Sequence, residues 1–194
     1  RWWTAGLWAV AAALSAAHTV GAWRAEYVGE GDGSPALDAH GEVIGLPSSY
    51  TWLAAPAAAM VPLAAGYGTG LAGVALIVVA AVCAVAQLSA RHRGDAVGAV
   101  TIGVVLSAIA ATSVVLAVRI DLWAGLFLIL AVSLFDAGCY LMGAEAAGRW
   151  EGPVAGLIGA LAVTFTMSTI DPPPFDRASA WLTGAAVAVS CVLG

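Results

Sequence analysis

The sequence predicts an all-α fold, a polytopic bundle of about seven helices crossing a lipid bilayer. Three observations predict it. Of the 194 residues, 61% are apolar and only 10% are charged. The mean hydropathy is +0.93. The apolar residues are gathered into runs approaching the roughly 20 residues that a helix needs to cross the hydrocarbon layer. A soluble domain carries roughly 25% charged residues to cover its surface. This chain has far fewer, so its outer surface has to be covered by lipid, and a soluble enzyme is excluded.

The first run, Trp2–Trp23, is bracketed by tryptophans. No small-residue cleavage site followed by a soluble domain is present, so it reads as a span rather than a signal peptide. Tyr50–Ala65 is short and contains Pro56 and Pro62, which predicts a kink or an incomplete crossing. Gly70–Leu88, Ala96–Val118, Leu122–Gly143 and Pro153–Ile170 follow. The last run, Ala178–Gly194, is cut short. With Arg1 rather than Met at the start, the sequence reads as a piece of a longer protein. Trp52, Trp123, Trp150 and Trp181 stand near other boundaries, where an amphipathic ring prefers the headgroup layer.

The connections are short, with one exception. Arg24–Ser49 is acidic and Gly-rich, and it is expected to be irregular or partly disordered. Gly66–Gly70 predicts a glycine turn and Arg91–Asp95 a basic turn. Gly143–Gly152 is a ten-residue loop. Asp171–Arg177 holds Pro172, Pro173 and Pro174, which predict a stiff extended turn.

The net charge is −5, but five of the twelve acids (Glu26, Glu30, Asp32, Asp38 and Glu42) sit in one loop. All seven basic residues are Arg, and no basic face exists for nucleic acid. If every run crosses, Arg24, Arg91, Arg93 and Arg149 share one side, against Arg1, Arg119 and Arg177 on the other. Four against three is a weak vote for the first set being cytoplasmic. Cys83, Cys139 and Cys191 lie in apolar runs and fit neither a zinc pattern nor a disulfide framework. Gly152 and Gly156 form a small-xxx-small pair, with Gly159 next, and such residues let helix backbones approach closely in lipid. No internal repeat supports an inverted-repeat transporter.

Asp136 is the most informative residue. It lies about two turns inside the end of the fifth run, where a carboxylate costs at least ~2.5 kcal/mol. It must face the bundle interior, a partner or water. Ser133, Asp136, Tyr140 and Gly143 fall on one helix face and form a polar stripe. Asp136 is then either a metal ligand or proton-handling carboxylate, or a structural acid bonded to a neighbouring helix. His18, inside the first run, is expected to bond to a neighbouring helix. Arg119 and Asp121 flank a turn and can pair at the interface.

The segment Asp136-Ala-Gly-Cys-Tyr-Leu-Met-Gly143 resembles the Asp-x-x-Ala-Tyr-x-x-Gly segment of phosphatidate cytidylyltransferases, the CDP-diacylglycerol synthases. In that family a short loop follows, ending in Lys-Thr-Trp-Glu-Gly at the opening of the next helix. This chain has Arg149-Trp150-Glu151-Gly152 there, then Pro153-Val-Ala-Gly156-Leu157. The tail Val189–Gly194 resembles the helix leading into the family's C-terminal signature. The resemblance covers about Leu122–Gly194, and residues 1–120 match only as generic membrane helices. It implies a single membrane domain over 1–194 whose segment 121–194 is a cytidylyltransferase-like core. It also implies catalytic roles for Asp136 and Glu151, with Asp136 a ligand of Mg²⁺. Arg149, Tyr140 and Ser133 would bind substrate. The implied partners are CTP and phosphatidate in a bacterial cell membrane, and a homodimer is among the expected assemblies.

Two departures stand out. The family's lysines are replaced by Arg149 alone, and a guanidinium fork is not a like-for-like substitute for an ammonium. The carboxylate-rich signature expected downstream is beyond Gly194, so this stretch alone is not expected to turn over. The alternative is a non-enzymatic transporter or scaffold with Asp136 as a proton or cation site.

Overall fold

The computed structural model describes residues 2–26, 48–89, 94–144, 148 and 150–193. Their regular elements are all helices: α1 (Trp2–Glu26), α2 (Ser48–Tyr67), α3 (Thr69–Ser89), α4 (Gly94–Ile120), α5 (Leu122–Gly143), α6 (Glu151–Ile170) and α7 (Arg177–Leu193). Four contain stretches long and apolar enough to cross a bilayer, namely Trp2–Ala22, Val100–Ile120, Leu122–Gly143 and Glu151–Ile170. The apolar stretches of α2, α3 and α7 fall in the 10–17 residue range, below the ~20 that a full crossing takes. The about seven spans expected from sequence are thus four of spanning length and three shorter apolar helices. The acidic segment over 27–47 and the basic turn at 90–93 lie outside the described residues.

The chain divides into two compact units, Arg1–Leu116 and Ala117–Gly194. In the first, the core is built from small side chains at helical spacing. Ala12, Ala16 and Val20 of α1 meet Ala54, Ala58 and Val61 of α2 and Val100, Val104 and Ala108 of α4. Small residues bring backbones close, and close backbones gain the dispersion contacts that hold helices together in lipid. Helix α2 runs through both Pro56 and Pro62; each proline removes one backbone donor, yet the helix continues on either side. The glycine turn expected over Gly66–Gly70 contracts to Gly68 alone. Its N–H donates to Ala64 O at 3.3 Å, and its own carbonyl accepts from Ala72 N–H at 3.1 Å. Gly66 is required for a different reason: a β-carbon there would lie 3.0 Å from Ala5 Cβ. Trp2 closes this end with its ring edge on Tyr67, 4.3 Å between centroids.

One polar seam runs through this unit. Ser15 Oγ and Ser107 Oγ are 2.9 Å apart, which joins α1 to α4. Thr19 Oγ1 donates to Ser15 O at 2.9 Å. Gly103 admits Thr19, whose Cγ2 would be 2.7 Å from any β-carbon at that position. His18, expected to bond to a neighbouring helix, is instead exposed on α1.

In the second unit, α5 opens on Asp121, in extended backbone, whose carboxylate accepts from Trp123 N–H at 2.8 Å. That side-chain acceptor satisfies one of the amides a helix start leaves unpaired. Helix α6 closes on Asp171 at φ 53, a left-handed conformation that Asp tolerates better than most residues. The expected extended proline run is a turn, in which Phe175 N–H donates to Pro172 O at 2.9 Å and Pro173–Pro174 is cis. The turn seats Phe175 against Phe127, with centroids 5.2 Å apart. Helix α7 starts on a reciprocal cap. Ser179 N–H donates to Asp176 Oδ1 at 2.7 Å, and Asp176 N–H donates to Ser179 Oγ at 2.9 Å. It then crosses α6 at Gly184, where a β-carbon would sit 2.8 Å from Thr164 Cβ.

Candidate functional site

The candidate site is built on the α5–α6 hairpin, the most extensive helix pair in the second unit. Four glycines set its spacing. β-Carbons at Gly138, Gly152, Gly156 and Gly159 would lie 2.7 Å from Ala155 O, 3.0 Å from Cys139 O, 2.6 Å from Phe135 O and 2.7 Å from Leu134 O. Backbone therefore meets backbone along the whole contact. This is the close approach that Gly152, Gly156 and Gly159 predicted, with Gly138 as the partner that the sequence reading missed. The described parts of the two segments that carry the resemblance, 136–143 and 150–157, lie along this hairpin.

The side of α5 that faces the core carries Phe127, Ala131, Phe135 and Gly138. Ser133, Asp136, Tyr140 and Gly143 are exposed. The predicted stripe thus exists as a surface stripe. Of the three environments open to Asp136, the interior of its own unit is excluded. Among the described residues its carboxylate makes no hydrogen bond or ion pair. Cys191 of α7 is within electrostatic reach of both Asp136 and Cys139. That grouping has no signature in the sequence, because the residues are far apart in the chain. All three cysteines are free and half-buried.

Glu151 is the first residue of α6 and is exposed. Its Oε1 accepts from Gly148 N–H at 3.1 Å, which ties the loop to the helix start. Trp150, at the N-cap, makes no side-chain capping bond, and Glu151 is the acid in the first turn, where it meets the partial positive charge of this terminus. Tyr140 is 77% exposed, and its hydroxyl has no partner among the described residues. Arg149 lies outside the described residues. Cys139 is level with Gly152, and Asp136 stands three residues further along, about 4.5 Å in axial rise. Asp136 is therefore level with Ala155, about 6 Å in axial rise from Glu151, and on the exposed face of α5.

Among the described residues no three of His, Cys, Asp and Glu converge as a metal ion requires. Asp136 is a hard oxygen donor of the type Mg²⁺ takes, but the described residues do not complete a shell around it. Tryptophans 2, 3, 52, 123, 150 and 181 are all at least 40% exposed, as a headgroup belt requires.

Comparison with protein-family models, with curated proteins and with solved structures finds no match in any of the three.

Proposed function

We propose that the chain is part of a multi-pass bacterial membrane nucleotidyltransferase of the phosphatidate cytidylyltransferase kind, serving phospholipid synthesis. In this reaction a phosphatidate oxygen attacks the α-phosphorus of CTP. The bond to the β-phosphate oxygen breaks, leaving CDP-diacylglycerol and pyrophosphate. The observation that carries the reading is the α5–α6 hairpin. It packs Gly138, Cys139 and Gly143 against Gly152 and Gly156, so the two segments that carry the resemblance lie on neighbouring helices, which supports the reading.

In this reading the N-terminus of α6 and Arg149 draw the triphosphate, since helix amides and a guanidinium both favour phosphate oxygens. Glu151 ties Gly148 to the start of α6. Tyr140 and Ser133 offer hydroxyls on the same face as Asp136. Mg²⁺, when bound, neutralises charge on the transferring phosphate. Asp136 is the residue here that would hold it, together with substrate oxygens.

One observation favours a second reading. Asp136 is exposed and unbonded among the described residues, as a proton or cation site in a transporter or scaffold would be. The same exposure suits a carboxylate that meets a second copy in a homodimer. The full-length protein, incubated with CTP, phosphatidate and Mg²⁺, separates these. Turnover by wild type and a loss of at least about 100-fold in Asp136→Asn supports the transferase. No turnover by wild type favours the second reading, and full turnover by Asp136→Asn removes Asp136 from the chemistry.

A further inference from the structure

We propose that a cavity among α2, α3 and α4 holds one acyl chain of a bilayer phospholipid. The cavity has a volume of about 290 Å³, and its walls include Leu53, Pro56 and Met60 of α2, Val82 and Cys83 of α3, and Val104 of α4. No charged side chain lines it. Its two polar side chains, Cys83 and Thr101, are hydrogen-bonded to each other. That bond leaves an occupant only a weak thiol and hydroxyl lone pairs to pair with. Water needs two to four polar partners and is poorly held there; a headgroup is worse. Hydrocarbon is the ligand class that this lining accepts.

Shape and position narrow the choice to a lipid chain. Ala54 and Val104, 4% and 1% exposed, form the floor. Leu53, Met60 and Val82, at 66%, 51% and 61%, form an open, apolar rim of the kind lipid covers. A cavity of this size has room for a stretch of acyl chain. Trp52, 79% exposed beside Leu53 at the N-terminal end of α2, marks the headgroup level. A phospholipid can therefore leave its headgroup at the interface and lay the first part of one chain into the cavity. Met60 supplies an adaptable wall for it. The site lies wholly in the unit 1–116, so it stands apart from the transferase reading and can fail independently of it.

The test uses the full-length protein in nanodiscs containing phosphatidylcholine with a diazirine on one acyl chain. After irradiation, adducts are mapped by mass spectrometry. Adducts on Met60, Val82 and Cys83 should exceed those on the lipid-facing Leu14 and Ile77 by at least five-fold. Ala57→Trp, which fills the cavity, should lower them at least five-fold and leave Leu14 and Ile77 unchanged. Should Ala57→Trp not fold, Val82→Phe plugs the cavity from its exposed rim and decides in the same way. Even labelling of cavity and outer face overturns the proposal, as does undiminished labelling in a folded plug variant.

Discussion

Gly156 meets Phe135 at backbone distance: a β-carbon on Gly156 would fall 2.6 Å from the Phe135 carbonyl oxygen and 2.7 Å from the Cys139 sulfur. Backbone cannot yield as a side-chain tip can, so Gly156→Leu has to part α5 from α6. The expected cost is about 1–3 kcal/mol, the range for overpacking a closed contact. Unfolding in mixed micelles measures it. Gly73→Leu is the control, because a β-carbon on Gly73 meets nothing within 4 Å.

Asp136 has the opposite relation to its unit. Being exposed and unbonded among the described residues, its carboxylate adds no bond to the fold and costs desolvation wherever lipid reaches it. Asp136→Leu is expected to stabilise the protein by about 2.5 kcal/mol in the absence of substrate, the centre-of-helix cost of Asp. Reversible denaturation in micelles reads this directly. A destabilised Asp136→Leu would instead mark a structural acid.

Thr112 is 9% exposed, and its hydroxyl has no hydrogen-bond partner among the described residues. A buried unpaired hydroxyl costs about 1–3 kcal/mol, and an apolar group of the same shape removes that cost. Thr112→Val is expected to raise stability by about 1 kcal/mol, measured in the same unfolding assay.

The Ser15–Ser107 bond joins α1 to α4 at 2.9 Å. Interhelical hydrogen bonds in lipid couple weakly, by about 0.6 kcal/mol on average. The double-mutant cycle Ser15→Ala, Ser107→Ala is expected to return a coupling of that size. Additive losses would show that the two hydroxyls act independently.

Asp176 caps α7, and the bonds from Ser179 hold its carboxyl below the usual carboxylate range. A carboxyl depressed in the folded state contributes stability that is present above its unfolded value of 3.8 and lost as pH falls through the lower folded value. The N-terminal turn of α7 should therefore open below about pH 4. Amide exchange at Ser179 and Ala180, corrected for intrinsic rates, should rise there in wild type. In Asp176→Asn the acid-dependent rise should vanish.

Much of the helix pattern was legible because apolar length and punctuation are local. Leu122–Gly143 ends where the Asp121 cap and the Gly143 boundary place it, and each of the other runs differs from its helix by no more than three residues at an end. Gly152, Gly156 and Gly159 were legible as a close-packing stripe because their spacing alone specifies a shared face. The direction of the Asp136 stripe was not. Two faces of α5 are each distinctive, one polar and one formed by Phe127, Ala131, Phe135 and Gly138. Only the partner α6 decides which turns inward. The approach of α7 to α5, and the cavity at Cys83, depend on how separate helices pack, which no single run of residues encodes.

The α5–α6 contact is made chiefly by glycines against carbonyl oxygens, with the Cys139 thiol the one ionisable group against the four positions and neutral in acid. Its strength should be indifferent to ionic strength and acidity. Changes in the aqueous phase then act on Glu151 and its loop while the scaffold beneath keeps its register, so the mouth of the hairpin can respond to its surroundings without loosening the frame that carries it.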